Sequence, residues 1–333
     1  MKRFLAPTPN MTRRSLLQWG GYALAFPSAI VHAEPPQRKI TPPRPLLQWG
    51  KRGKAEGEFD ILIGMAINRK DEVLVTEFRN NRVQKFNTEG KFLASFPVPE
   101  YPGGIAVDKK GNIYVAHMLS GKITVFDEKG KQLHEWGGNG TDPGLFQQPG
   151  GIAVAPNGTL YIADQVNRRV QQLTPEGKFI RAWGEYGVAP GQFGGNTPRP
   201  NRVGGPHFIA LDRHGNVYTT EGSVGRIQKF TPEGKYILSW GDNGTEPGGF
   251  GGRPNNLPGP IAIALDKHGD VWVSATNHLV QQYTPEGAFL QAIGGKGEAL
   301  GQFHTPHALE FDSKGSLYVC DSQNARIQKF APS

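Results

Sequence analysis

Two histidines occupy the same place in a repeated seven-residue phrase. Residues 206–212 read PHFIALD and residues 306–312 read PHALEFD, whereas residues 102–108 and 149–155 carry glycine at the second position. A neutral imidazole is a common ligand of zinc and other transition metals, and it also forms hydrogen bonds with polar groups. His207 and His307 are therefore candidate metal ligands, with a hydrogen-bonding filler beneath a loop as the alternative.

The phrase opens a longer repeat that reads as four short strands. In residues 151–184, four apolar stretches are separated by turn residues, as expected of half-buried antiparallel strands. The third strand of each copy ends in a large apolar residue, which gives six copies, at Phe86, Phe126, Leu173, Phe230, Tyr283 and Phe330. Copies of this length with four strands each are typical of propeller blades. The sequence thus predicts an all-β fold, a six-bladed β-propeller of four-stranded antiparallel blades.

The two ends of the repeat array predict how the ring closes. The sixth copy stops after its third strand, whereas residues 46–59 read as a fourth strand and its following loop, with no earlier strands before them. We expect the N-terminal strand to pair with the C-terminal blade, because this pairing covers an edge that would otherwise be exposed. Residues 46–333 are therefore predicted to form a single propeller, preceded by a linker at residues 34–45.

Residues 1–33 have the composition of an export signal. Arg13 and Arg14 precede an apolar stretch from Leu16 to Val31, which is followed by the small residue Ala33. The arginine pair resembles the twin-arginine type, and the apolar stretch is too short for a comfortable membrane span. We expect cleavage after residue 33 and a periplasmic or secreted mature protein with no stable membrane span.

Composition argues against several functional classes. The net charge is +8, but residues 1–33 supply four basic and no acidic residues, which leaves +4 for the rest of the chain. A charge this modest, together with the export signal, disfavours nucleic acid as a partner. The single Cys320 cannot form an internal disulfide, and the sequence contains no P-loop, nucleophile elbow or CxxC pair. We expect a monomer.

Acidic and arginine side chains recur together in the repeat. In four blades an acid at the end of the second strand is followed five residues later by arginine, at Glu77 and Arg82, Asp164 and Arg169, Glu221 and Arg226, and Asp321 and Arg326. Blade five has Ala275 and Leu279 at the nearest equivalent places, so both partners are lost together. Joint loss predicts structural ion pairs, because either partner left alone in a buried place is costly.

Departures from the repeat are better candidates for function. His117 replaces the acid in blade two, so the histidines His117, His207 and His307 fall in alternate blades of a six-fold ring. Imidazoles that converge from separate elements predict a site for zinc or another divalent metal. His278 and His304 fall on the same face of the ring, which is formed by the loops after the second and fourth strands. We expect these two to bind ligand.

Two long loops rich in glycine and proline cross this face, which we call the channel face. They span residues 184–207 and 241–260 and carry Arg199, Arg202 and Arg253. Long loops on a rigid scaffold often hold binding residues, so we expect these arginines to contact ligand. The alternative is that each is a solvated surface charge.

The strand sequences resemble a known repeat. YIADQVNRRVQQL at residues 161–173, YVCDSQNARIQKF at residues 318–330 and the WGxxGxxxGxF loops resemble the NHL-repeat family of six-bladed β-propellers. Within that family the PH phrase is similar to the peptidyl-hydroxyglycine alpha-amidating lyase domain. This resemblance implies zinc held by His207 and His307.

The same resemblance is incomplete at three positions. The third zinc-binding histidine of the lyase domain falls on Gly103, for which His117 is a candidate replacement. The tyrosine and arginine that the lyase domain uses fall near Val166 and Gly222, and neither side chain here can replace them.

Two functional hypotheses follow. The first is an exported binding module whose channel face binds a small molecule, a peptide or a glycan. The alternative is a metal-dependent lyase or hydrolase related to the amidating lyase, with the histidines as metal ligands. Binding is preferred, because the acids of the repeat look structural and none is an evident catalytic acid or base. Whether the protein is an enzyme stays open on the sequence alone.

Overall fold

Six four-stranded antiparallel sheets make up nearly all regular structure in the computed structural model, which describes residues 39–194, 204–251 and 259–332. The first strand of the described residues is β1, Pro45–Trp49. Blade one contains β2 Leu62–Ile67, β3 Val73–Glu77, β4 Arg82–Phe86 and β5 Phe92–Pro97. Blade two contains β6 Pro102–Val107, β7 Ile113–His117, β8 Lys122–Phe126 and β9 Gln132–Gly137. Blade three contains β10 Pro149–Val154, β11 Leu160–Asp164, β12 Arg169–Leu173 and β13 Phe179–Trp183.

The remaining strands follow the same order. Two short parallel strands come first, β14 Tyr186–Gly187 and β15 Phe193–Gly194. Blade four contains β16 Ile209–Leu211, β17 Val217–Glu221, β18 Arg226–Phe230 and β19 Tyr236–Trp240. Blade five contains β20 Pro260–Leu265, β21 Val271–Ala275, β22 Leu279–Tyr283 and β23 Phe289–Gly294. Blade six contains β24 Pro306–Phe311, β25 Leu317–Asp321, the short 3₁₀ helix Ser322–Asn324 and β26 Arg326–Phe330.

The first strand of each blade lies at the centre of the ring. Each of these inner strands contacts the inner strand of the next blade, and β24 of blade six returns to β2 of blade one. The second strands are buried along their whole length, whereas the fourth strands are largely exposed at the rim. The predicted six-bladed propeller is thus confirmed.

Turn chemistry follows the sequence. Gly158 joins β10 to β11 with a φ of 89°, a conformation that glycine adopts without strain. In blade one, Asp71 takes the equivalent place with a φ of 58°. Its carboxylate accepts hydrogen bonds from the backbone N–H and hydroxyl of Ser313, at 2.9 and 2.7 Å, so this departure ties blade one to blade six.

The ring closes as predicted. β1 pairs antiparallel with β26 and completes the sheet of blade six, in the order β1, β26, β25, β24. The Trp49 ring at its end packs edge-on against Tyr318, with centroids 6.2 Å apart. The N-terminal strand therefore covers the backbone edge that β26 would expose.

The repeated acids and arginines form ion pairs within each blade. The arginine Nε lies 2.6–2.8 Å from a carboxylate oxygen in all four pairs, and every one of the acids is fully buried. Each arginine also donates to backbone carbonyls of the preceding inter-blade loop, as Arg169 does to Asp142 and Leu145. In blade five, Gln281 bonds the loop at Gly248 and Gly249 as the equivalent glutamines of four other blades do, and the Tyr283 hydroxyl adds a hydrogen bond to Gly248. Each ion pair therefore holds the preceding inter-blade loop against the second and third strands of its blade.

Removing the closing strand is expected to destabilise the propeller strongly. Deletion of residues 45–50 uncovers the edge of β26 and the ring of Tyr318, so we predict a fall in Tm of about 10 °C or more. Deletion of residues 34–40 is the matched control and leaves β1 in place. Thermal unfolding followed by circular dichroism measures both, and equal Tm values would refute closure by this strand.

A double-mutant cycle tests the ion pairs. Arg169→Leu leaves the buried Asp164 carboxylate without its cation, which we expect to cost about 3 kcal/mol or more in unfolding free energy. Asp164→Ala combined with Arg169→Leu reproduces the residues of blade five and should cost less than the two single changes together. Urea denaturation gives the four free energies. Simple additivity would mean that the two side chains do not stabilise one another.

Candidate functional site

His207 and His307 lie side by side at the channel face. Their ring centroids are 5.9 Å apart and the rings are inclined at 75°, although the residues belong to blades four and six. His207 lies two residues before the inner strand β16, and His307 is the second residue of the inner strand β24. The expected convergence of these two rings is therefore present in the structure.

A backbone carbonyl fixes the tautomer of His307. Its Nδ1 lies 2.8 Å from the carbonyl oxygen of Ile63 in the adjacent blade one. Because a carbonyl only accepts, Nδ1 carries the hydrogen and Nε2 keeps its lone pair. The carbonyl of Ile261 in blade five acts on His207 in the direction that favours the protonated form. Each neutral imidazole keeps one proton-free nitrogen, and in His307 this is Nε2.

The hydrogen bond from His307 to Ile63 takes the place of a hydrogen bond that a side-chain hydroxyl makes in three other blades. We call the second residue of the repeated seven-residue phrase the PH position, whichever residue occupies it. In three blades a hydroxyl near the end of the second strand donates to the backbone carbonyl at the PH position of the next blade, from Thr76 to Gly103, from Thr220 to Ile261 and from Ser274 to His307. Blade six has Cys320 at this place, which is buried and carries no hydroxyl. The Ile63 carbonyl receives the His307 hydrogen bond instead, so His307 also helps to join blade six to blade one.

Both imidazoles are held neutral. Burial lowers the pKa of His207 to about 3, and the nearby His307 acts in the same direction. Burial lowers the pKa of His307 to about 4, against the opposing effect of its bond to Ile63. The proton-free nitrogens are therefore available to a metal ion or a hydrogen-bond donor throughout the range from pH 5 upwards.

The two rings line a cavity of about 290 Å³, which we call the histidine cavity. Met118, Gln165 and Thr276 also line it, and the described residues add no charged side chain. Gln165 is fully buried, and neither its amide nitrogen nor its amide oxygen has a hydrogen-bond partner. A Cβ atom at Gly150 would clash with the Gln165 amide and the His207 carbonyl, so the glycine of this PG phrase provides room for both.

Phe208 separates the histidine cavity from the channel below. Its ring centroid lies 5.0 Å from that of His207 and 5.5 Å from that of His307, and its side chain lines the central channel. The sequence analysis did not single out Phe208 or Gln165. Phe208 stands where the other blades carry glycine or alanine, which was the available signal.

His117 does not join the pair. It ends β7, is fully buried and does not line the histidine cavity. Burial lowers its pKa to about 4, and the nearby carbonyls of Pro99 and Glu100 oppose this shift, although neither ring nitrogen completes a hydrogen bond. Within residues 39–194, 204–251 and 259–332, no three His, Cys, Asp or Glu side chains are grouped so that they could hold a metal ion. The structure thus brings together two of the three predicted ligands.

His278 and His304 form a second pair outside the cavity. Their ring centroids are 5.5 Å apart, and the backbone N–H of Thr305 donates to His278 Nδ1 at 3.1 Å. Burial lowers the pKa of His278, and the neighbouring His304 adds to this effect. In its neutral form His278 therefore carries hydrogen on Nε2 and offers a donor rather than a metal-binding lone pair.

The other sequence-based candidates have different outcomes. Arg199, Arg202 and Arg253 lie outside the described residues, so their contact with ligand stays a prediction. Gly222 lines the histidine cavity, and the described residues around that cavity include no tyrosine and no arginine. The side chains on which the amidating lyase depends are therefore not supplied by this part of the chain.

Comparison with known proteins supports the repeat assignment. Residues 146–173 and 303–330 match the NHL repeat, so the chain is a six-bladed propeller that carries NHL repeats. It is 29% identical over 133 residues to peptidyl-glycine alpha-amidating monooxygenase B of Xenopus laevis, a match that covers 38% of this chain and 15% of that protein. The chain therefore corresponds to a small part of that relative.

Solved structures show the same fold at low identity. Virginiamycin B lyase from Staphylococcus aureus superposes with a TM-score of 0.55 and 18% identity, covering 82% of this chain and 95% of that one. A protein of unknown function from Bacteroides thetaiotaomicron gives a TM-score of 0.67 with 16% identity, covering 86% and 76%. At such identities the likeness establishes the fold alone. In the described part of the chain, no helix has the length and apolar character needed to cross a membrane.

The two histidines should differ in their effect on stability. His307→Ala leaves the Ile63 carbonyl without its donor, at an expected cost of about 1–3 kcal/mol in unfolding free energy. His207→Ala should cost less, because the Ile261 carbonyl keeps the hydrogen bond from Thr220 at 2.8 Å.

A rescue variant makes this test specific. Cys320→Ser in the His307→Ala background supplies the hydroxyl that blades one, four and five possess and should recover part of the loss. Cys320→Ser alone is the control and should not stabilise the protein. Equal losses for His207→Ala and His307→Ala, with no recovery, would contradict the proposed bridging role.

Proposed function

We propose that the protein is a binding module whose histidine cavity takes a small molecule or the end of a peptide or glycan. The observation that carries this proposal is the pair of neutral imidazoles, each of which has a proton-free nitrogen; in His307 the other nitrogen is hydrogen-bonded to the neighbouring blade. Two acceptors side by side favour a ligand with N–H or O–H donors, or a metal ion. The volume of about 290 Å³ lies near the lower end of small-molecule sites.

The proposal includes the setting of the protein. Residues 1–33 would direct export by a twin-arginine signal, so that the mature chain acts as a monomer in the periplasm or outside the cell. Nucleic acid is not the proposed partner, because half of the net charge of +8 lies in residues 1–33 and only +4 remains for the rest of the chain.

Zinc or another divalent metal fits the donor set in part. His207 and His307 would hold it through their proton-free nitrogens, and the bond of His307 to the Ile63 carbonyl would fix the orientation of that ring. A catalytic zinc commonly takes three protein ligands, and the described residues contribute two. When bound, such an ion polarises carbonyl groups and acidifies bound water.

A metal-dependent lyase or hydrolase is the second candidate. It is favoured by the PH phrases and by the 133-residue similarity to an amidating monooxygenase. No carboxylate among the described residues lines the histidine cavity to serve as an acid or base, and Gly222 lies where the lyase needs a functional side chain. Ligand binding is therefore the better-supported role.

Metal analysis of the mature protein, purified without chelator, tests the metal part of the proposal. We expect near-stoichiometric zinc or another divalent metal in the wild type and its loss in a folded His207→Ala/His307→Ala variant. The matched control is His278→Ala/His304→Ala, which removes two imidazoles of the other pair and should keep the metal. Because the pKa values of His207 and His307 are lowered to about 3 and about 4, binding should persist at pH 5, where ordinary histidines are protonated.

A ligand screen tests the binding role separately from the metal. Ligand-observed NMR with neutral polar fragments should detect binding that the His207→Ala/His307→Ala variant loses and the control variant retains. Binding that is unchanged in the first variant would contradict the assignment of the histidine cavity as the site.

A further inference from the structure

The central channel below Phe208 contains a single carboxylate. This channel cavity has a volume of about 250 Å³ and is lined by the inner strands of all six blades. Glu310 of β24 lies where the other five blades carry alanine, at Ala66, Ala106, Ala153, Ala210 and Ala264. Among the described residues that line this cavity, Glu310 is the one charged side chain.

Phe208 sets the channel cavity apart from the histidine cavity. It replaces the small residues Gly64, Gly104, Gly151, Ala262 and Ala308 of the other blades. Its ring stands against both imidazoles on one side, and the side chain lines the channel on the other. Glu310 therefore faces a separate compartment.

The fold gives Glu310 no counter-ion. The ion pairs of the described residues do not include it, whereas the four buried acids that end second strands each have an arginine partner. Burial raises the pKa of Glu310 to about 7, and a hydrogen bond from the Phe311 N–H only partly offsets this. Five blades form the same inner strand with alanine, so packing of the ring does not require a carboxylate here. The Glu310 side chain is half-buried, and a carboxylate that is partly withdrawn from water without a counter-ion is costly and frequent at functional sites.

The walls of the channel cavity favour one class of cation. Calcium takes six to eight oxygen ligands and magnesium an octahedral set, whereas the described lining residues supply one carboxylate. The other lining side chains are uncharged, most of them aliphatic or alanine, and the exposed surface of the cavity is more polar than apolar. An ammonium group can pair with Glu310 and donate hydrogen bonds to this polar surface, and a short alkyl chain needs little apolar surface. We propose that the channel cavity is a second binding site, which takes a small alkylammonium ion with Glu310 as its counter-ion.

A matched pair of probes tests this site. Propylammonium chloride and propan-1-ol have similar size and shape, and only the first carries a positive charge. At about pH 8 we expect NMR shift changes with propylammonium that saturate in the millimolar range. Glu310→Gln keeps the shape of the side chain and should weaken this binding at least about tenfold. Propan-1-ol should bind weakly and equally to both proteins.

Stability measurements show whether the variants fold and whether the carboxylate is uncompensated. Glu310→Ala restores the residue of the other five blades and should be folded. The pKa of Glu310 is raised in the folded state, so its carboxyl group ionises more readily in the unfolded protein. The wild type therefore loses stability as pH rises from about 5 to about 7. The Tm of Glu310→Ala relative to the wild type should therefore increase over this range, and propylammonium should narrow the difference.

Three results would overturn the proposal. Equal propylammonium binding by Glu310→Gln would remove the carboxylate from the site. Equal displacement by sodium chloride and by a second alkylammonium salt at matched ionic strength would show general screening rather than a site for organic cations. Loss of binding in the His207→Ala/His307→Ala variant, with retention in Glu310→Gln, would assign the ion to the histidine cavity instead.

Discussion

The centre of the ring depends on hydrogen bonds that cross from one blade to the next. The carbonyl at the PH position of each inner strand faces a neighbouring blade, and a buried carbonyl without a donor is costly. Thr76, Thr220 and Ser274 satisfy three of these carbonyls with hydroxyls. His307 satisfies the carbonyl of Ile63 with Nδ1. The hydrogen bond from Nδ1 therefore helps to hold blade six against blade one. Because Nδ1 carries the hydrogen, Nε2 is proton-free and available to a ligand.

Most of the fold was predictable because the repeat encodes it several times. Alternating strands, turn glycines and a fourth strand displaced to the N-terminus were sufficient to predict six blades and their closure. The ion pairs were predictable because acid and arginine disappear together in blade five. The approach of His207 and His307 followed from their identical positions on inner strands, which lie nearest the ring axis.

The rest of the site was less accessible from sequence. His117 has a suitable type and blade position, but it lies on a second strand, where its side chain is enclosed within the blade. Gln165, Phe208 and Glu310 stand out as departures from the repeat, although a departure alone does not reveal which compartment a side chain faces. Phe208 contacts both imidazoles of the histidine cavity and also lines the channel cavity, in which Glu310 is the one charged residue among the described lining residues. Since likeness in fold does not determine function, these departures from the repeat are the candidate functional residues.

The most direct test of the account is the protonation state of the two imidazoles. Long-range ¹H–¹⁵N NMR of the mature protein, assigned with the single alanine variants, reports the tautomer and titration of each ring. The account predicts that His307 carries hydrogen on Nδ1 alone, and that neither His207 nor His307 titrates between pH 8 and about pH 5. A midpoint near the ordinary histidine value of 6.5 for either ring, or hydrogen on Nε2 of His307, would contradict the proton-free pair on which the histidine cavity depends.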